Sequence, residues 1–214
     1  MSSNTFGGTG AGGAVVAGGG YYNTFLGVDA GKLVSSGDNN TYIGHRSGDA
    51  ATTGDENTCI GASAGTMLTT ASRSTALGYN ALEECQTHGG NTCIGYQAGQ
   101  KTRGEENTFI GNGAGTGVRT GYKNVALGYN CGRGAYNSAS GSYNFASLTY
   151  CQQNYTTGSH NISIGSYAAN ALTSGSNNLN LGQNSLMALT TSSDNVALGK
   201  HAGRYITTGA DNTL

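Results

Sequence analysis

The chain has 214 residues, 38 of them Gly, with no Pro, no Trp, 10% charged residues and a formal net charge of -1. Leu, Ile, Val and Phe together number 32, about 15%, a poverty that argues against an ordinary globular enzyme domain. Disorder is disfavoured too, because the chain is nearly neutral, lacks Pro and is strongly periodic.

The first segment, 1–22, is Gly/Ala-rich and carries a degenerate motif, Asn4-Thr5-Phe6-Gly7-Gly8. From there the motif becomes regular: Asn23-Thr24-Phe25-Leu26-Gly27, Asn40-Thr41-Tyr42-Ile43-Gly44, Asn57-Thr58-Cys59-Ile60-Gly61, Ser74-Thr75-Ala76-Leu77-Gly78, Asn91-Thr92-Cys93-Ile94-Gly95. It continues from Asn107, Asn124, Asn137, Asn161, Asn178 and Asn195, and restarts at Asn212. The spacing is 17 residues, apart from one step of 16 and an irregular pair of 13 and 24 around Asn137. A period this short is the signature of a solenoid, and it defines a repeat domain over 23–214 with an irregular insert at 137–160.

Counting the Asn as position one, position five is Gly in every unit by this alignment: Gly27, Gly44, Gly61, Gly78, Gly95, Gly111, Gly128, Gly165, Gly182 and Gly199, with Gly141 in the irregular unit. These glycines read as structural turns after a short strand. A second glycine column falls four residues later and a third three residues before the next unit. Too few residues remain between corners for a helix. The expected fold is therefore all-β, a parallel β-solenoid or β-roll of about eleven 17-residue coils with two short strands each. The recurrent Asn is expected to form an amide ladder from coil to coil.

Successive strand residues face opposite ways. Position four (Leu26, Ile43, Ile60 and their equivalents) is the expected interior column. Position three is mostly apolar as well, so Phe25, Tyr42, Cys59, Cys93 and Phe109 are expected to lie on an oligomer interface, covered by further copies of the same chain.

Stretches such as Asn107-Thr108-Phe109-Ile110-Gly111-Asn112-Gly113-Ala114-Gly115 resemble the repeats of phage and algal-virus fibre shafts and, in a longer-period form, the head repeats of trimeric autotransporter adhesins. The resemblance spans Asn23 to Leu214. It implies a homotrimeric parallel β-roll, extracellular or on a virion surface, serving as stalk or attachment head.

The C-terminus, Asp211-Asn212-Thr213-Leu214, stops inside a unit, from which end-to-end stacking into a filament is expected. In the insert, Tyr143, Tyr150 and Tyr155 are candidate contacts for a surface glycan. The scattered basic residues give no footprint for nucleic acid, and no run reaches the roughly 18 apolar residues of a membrane-inserted helix. Five cysteines without a CxxC pair argue against a disulfide framework and a zinc site. No cofactor, metal or catalytic residue is expected.

The leading functional reading is thus a non-enzymatic structural fibre or adhesin segment. The alternatives are an ice- or surface-binding solenoid, motivated by Thr-Thr pairs such as 52–53, 69–70 and 190–191, and a polysaccharide-cleaving β-helix, which would need a carboxylate pair in a groove.

Overall fold

The computed structural model describes residues 3–15, 19–135 and 138–214. Twelve three-residue strands form one parallel sheet in strict chain order: β1 (Thr5–Gly7), β2 (Thr24–Leu26), β3 (Thr41–Ile43), β4 (Thr58–Ile60), β5 (Thr75–Leu77), β6 (Thr92–Ile94), β7 (Thr108–Ile110), β8 (Val125–Leu127), β9 (Phe145–Ser147), β10 (Ile162–Ile164), β11 (Leu179–Leu181) and β12 (Val196–Leu198). Each strand pairs in register with the next, so Thr41 lies beside Thr58 and Ile43 beside Ile60. Sequential parallel pairing without crossovers is a β-solenoid. β1 pairs with β2 in the same register, which makes the degenerate N-terminal motif one more coil of this rod.

Each coil has one strand among the described residues, where the sequence predicts two. The reason lies in the backbone. Positions seven and nine take positive φ, as at Arg46 (φ 56) and Gly48 (φ 58), which breaks an extended run. The stretch becomes a chain of tight turns, Ser47 N bonding Gly44 O at 3.3 Å and Ala51 N bonding Gly48 O at 3.0 Å. Alternate amides still reach the neighbouring coil: Arg46 N donates to Val28 O at 2.9 Å and Gly48 N to Ala64 O at 3.0 Å. Coil-to-coil bonding therefore runs round the perimeter, and backbone groups buried by stacking are paired.

The Asn ladder forms and has two parts. The amide N of Asn40 donates to Asn23 Oδ1 at 2.8 Å, while Asn40 Nδ2 donates to Gly54 O at the end of the same coil, at 2.8 Å. One side chain thus links two coils and closes its own. At the single Ser in the column the device changes. Ser74 Oγ accepts from Asn91 N at 3.4 Å, and Cys85 Sγ and Asn91 Nδ2 both donate to His88 O, the acceptor that an Asn at 74 would have served.

This ladder fixes which strand face points inward, and it reverses the expectation from hydropathy. The Asn at position one points into the rod, where it is buried and reaches the corner at which the coil closes. By the two-residue period, position three then also points in, and positions two and four point out. Phe25, Tyr42, Cys59, Cys93 and Phe109 are all fully buried inside the chain's own core. They are therefore not interface residues. Position four lies outside: Leu26 is 39% exposed, Ile60 37% and Ile110 40%.

Position nine completes the interior opposite position three. A Cβ on Gly48 would sit 2.6 Å from the Tyr42 ring, and one on Gly31 2.8 Å from Phe25, so glycine leaves the room that the aromatic ring fills. Position-five glycines have a different constraint: Gly61 has φ 134, and a Cβ there would meet Gly78 O at 2.6 Å. Two more interior columns are position eight, with Ala30, Ser47, Ala64 and Cys151 buried, and position twelve, with Val34, Leu68, Cys85, Val118, Leu172 and Leu189 buried.

The irregular region also departs from expectation. Asn137 lies outside the described residues, and the ladder steps from Asn124 to Asn144: Asn144 N donates to Asn124 Oδ1 and Asn161 N to Asn144 Oδ1, both at 3.0 Å. The units there are 20 and 17 residues long, with β9 starting at Phe145 beside Val125 of β8. Position five of this coil is consequently Leu148, at φ 81, the one strand-ending corner of β2–β12 without glycine. Gly141 belongs instead to the column three residues before the next Asn.

Candidate functional site

Strand geometry turns positions two and four of every coil into two parallel files on the outer face of the sheet. Position two is Thr from β2 to β7 and then Val125, Phe145, Ile162, Leu179 and Val196. Position four is Leu or Ile throughout, except Ser147. No charged residue stands on this face from β2 to β12. Ile162 is 45% exposed and Leu198, in the last strand, 54%, while Leu179, Leu181 and Val196 are half-buried. A continuous, uncharged, apolar file along a rod is the feature most unlike an ordinary protein surface. Sequence reasoning found the two apolar columns and assigned them to the wrong sides. The parity of the buried Asn was the signal that distinguishes them.

The three tyrosines singled out in the sequence separate. Tyr155 is buried, 2% exposed, in the position-twelve column of the coil whose position three is only Ala146. Burial pushes its phenol pKa up, and the ring is inaccessible to a glycan. Tyr143 is 43% exposed, but it stacks on His160 at 4.9 Å, meets Tyr122 edge-on at 5.3 Å and lies under Lys123 Nζ at 5.5 Å. Tyr150, half-buried, sits at the opposite end of the strand between Tyr129 (5.4 Å) and Tyr167 (5.2 Å). Tyr143 and Tyr150 therefore belong to two aromatic files flanking the sheet, not to one insert loop.

The five cysteines are free and buried. Desolvation raises the pKa of Cys59, Cys85, Cys93 and Cys151, with Cys85 pushed up to about 12, so these thiols stay protonated and behave as small apolar groups. In the Thr-Thr pairs, the first hydroxyl is used within the rod: Thr52 Oγ1 donates to Thr69 O and Thr69 Oγ1 to Gln86 O, each at 2.8 Å. Asp38 and Asp55 belong to a second ladder. Tyr21 N donates to Asp38 Oδ1 at 2.6 Å, Asp38 N to Asp55 Oδ1 at 2.8 Å, and Asp55 N to Ser72 Oγ at 2.9 Å. Ser142, Ser159, Ser176 and Ser193 repeat the same bond farther along.

Among the described residues no group of three His, Cys, Asp or Glu is placed to hold a metal ion. The recesses on the rod are open to solvent; one of about 390 Å³ runs past Thr70, Arg73, Thr87 and Glu106. No helix of the described chain is long and apolar enough to cross a membrane.

No family model, curated protein or solved structure matches the chain.

Proposed function

We propose that the chain is a non-enzymatic structural fibre or adhesin segment of the extracellular space or a virion surface, whose rods associate side by side through the outward face of the sheet. The uncharged Thr/Val and Ile/Leu files carry this reading. About eleven coils at about 4.8 Å make a face roughly 50 Å long and about 10 Å wide, on the order of 500 Å². Two such faces bury on the order of 1,000 Å², the lower bound of specific interfaces, and a second rod has the matching period. Three copies about a common axis is the stoichiometry that the resemblance to fibre repeats favours. The interface residues of this proposal are the position-four set, Ile43, Ile60, Leu77, Ile94 and Ile110.

Light scattering on the purified protein tests it. The expected mass is a multiple of 21.6 kDa, and the triple substitution Ile60→Lys, Leu77→Lys, Ile94→Lys is expected to give 21.6 kDa with an unchanged circular dichroism spectrum. A wild-type mass of 21.6 kDa at high concentration overturns the reading.

A second reading, a surface- or ice-binding solenoid, draws on six consecutive outward threonines, Thr24, Thr41, Thr58, Thr75, Thr92 and Thr108. It requires thermal hysteresis that is lost when Thr58 and Thr75 become Tyr.

A further inference from the structure

The tyrosine file at the corner after the strand is not absorbed by the lateral interface. Tyr129, Tyr150 and Tyr167 come from three successive coils, with ring centroids 5.4 and 5.2 Å apart. Tyr129 is 47% exposed and Tyr167 41%. The backbone holds two of the three there at some cost. The corner adopts left-handed φ in coil after coil, a conformation suited to Asp29, Asn80, Asn130 and Asn184, yet Tyr150 and Tyr167 occupy it at φ 54 and 60. The file also brackets the one enlarged coil: Tyr129 lies on the 20-residue unit and Tyr150 on the next.

We propose that Tyr129, Tyr150 and Tyr167 form an oxidative cross-linking site, at which peroxide activated by a haem peroxidase joins two adjacent rings into a dityrosine that staples neighbouring coils. Each phenol gives up one electron and one proton. The two radicals combine, forming a carbon–carbon bond between ring positions ortho to the oxygens, and the ring protons at those positions pass to the phenolic oxygens as the rings rearomatise. Overall two hydrogens are lost, the O–O bond of one peroxide breaks, and two waters form.

Three observations favour this file. The protein has no Trp, so no indole competes as a sink for the radical. Its cysteines are all buried. Tyr129 and Tyr150 meet edge-to-face (81°), which points a ring edge at its neighbour, and Tyr150 and Tyr167 are tilted (35°), whereas Tyr79 and Tyr96 stack nearly parallel at 13°. The remaining edge-on pair, Tyr122 and Tyr143, carries the Lys123 ammonium over the Tyr143 ring, and a cation there opposes electron loss. Hydrogen bonding to the Tyr150 phenol raises the Tyr129 pKa, consistent with the two hydroxyls lying within reach of each other.

The test treats the protein with a haem peroxidase and hydrogen peroxide over a dilution series, followed by digestion and mass spectrometry. Expected are dityrosine fluorescence and a peptide pair joining Tyr129 to Tyr150, with Tyr150–Tyr167 second, lighter by two hydrogens than its parts and formed at a yield independent of dilution. Tyr150→Phe is expected to abolish both links, and Tyr129→Phe to abolish only the first. Absence of dityrosine, coupling only between chains, or coupling confined to Tyr79–Tyr96 or Tyr122–Tyr143 overturns the proposal. A link between chains through Ile60-face dimers has a different dilution dependence, so failure of lateral assembly and failure of this site are separable.

Discussion

The coils from β2 to β7 and those from β9 to β12 solve the same packing problem with opposite distributions of bulk. In the first region aromatic side chains fill the interior at position three in three of the six coils, with Phe25 and Tyr42 stacked at 5.1 Å and Phe109 fully buried, while Cys59, Ala76 and Cys93 stand there in the others. Glycine stands opposite at position nine, and threonine faces outward. In the second region position three shrinks to Ala146, Ser163, Asn180 and Ala197, and position nine grows to Gln152, Ala169 and Leu186 before returning to Gly203. The outward position two becomes Phe145, Ile162, Leu179 and Val196. Leu82 opposite Ala76 shows the same exchange inside the first region. Bulk is thus exchanged between positions three and nine in several coils, although the coil of Cys93, Gly99 and Thr102 is small at positions three, nine and twelve alike. Cores tolerate substitutions that conserve total volume and resist those that do not.

The two regions also differ in polar satisfaction. Asn180 Nδ2 donates to Ser163 Oγ at 3.0 Å, but Asn180 Oδ1, both amide atoms of Gln152 and Ser185 Oγ are buried without a partner, against Thr102 Oγ1 and Arg103 Nε in the first region. Unpaired buried polar atoms carry a desolvation cost. The C-terminal region is thus the less economical interior.

The sharpest way to break the comparison is to move bulk across it. Tyr42→Ala empties a fully buried aromatic site and is expected to cost ~3–5 kcal/mol in denaturant unfolding, whereas Asn180→Ala is expected to cost little. If the two substitutions cost the same, volume complementarity between positions three and nine is the wrong account.

Alkaline titration probes the first region next. Cys59, Cys85 and Cys93 lie there, against Cys151 alone in the second region. Their folded pKa values are raised above the ordinary 9.0, so the unfolded chain loses thiol protons while the folded chain keeps them. Stability is therefore full below about pH 9 and falls as pH rises from 9 toward about 12, the Cys85 value, by ~1.4 kcal/mol per pH unit for each such thiol. Denaturation midpoints measured across this window should flatten when the three are changed to Ala.

The smallest effect sharpens the second region. Gln152→Leu removes two unpaired buried polar atoms at nearly constant volume and is expected to stabilise by ~1–2 kcal/mol. A loss of stability there means that Gln152 has a bound partner inside the rod.

Much of this architecture was legible in the sequence. The 17-residue period, the corner glycines and the Asn ladder followed from column-by-column comparison, because each coil repeats the same backbone problem. Two things were misread. The inserted coil was aligned on Asn137, because Asn137-Ser138-Ala139-Ser140-Gly141 keeps the position-five glycine that Asn144-Phe145-Ala146-Ser147-Leu148 lacks. Gly141, three residues before Asn144, carried the correct alignment, as Gly121 does before Asn124 and Gly158 before Asn161. Hydropathy also placed Leu26, Ile43 and Ile60 inside, since larger aliphatic residues ordinarily mark the core.

The sequence by itself determined the period, the parallel order and the residues that stack on their own kind, since these depend only on local spacing and on self-similarity between coils. Which face turns inward was decided by tertiary structure. An isolated strand gives no preference between its two apolar sides. The Asn side chain finds its second acceptor only where the coil returns to its start, and once it does, the two-residue period sends Tyr42 inside and Ile43 out.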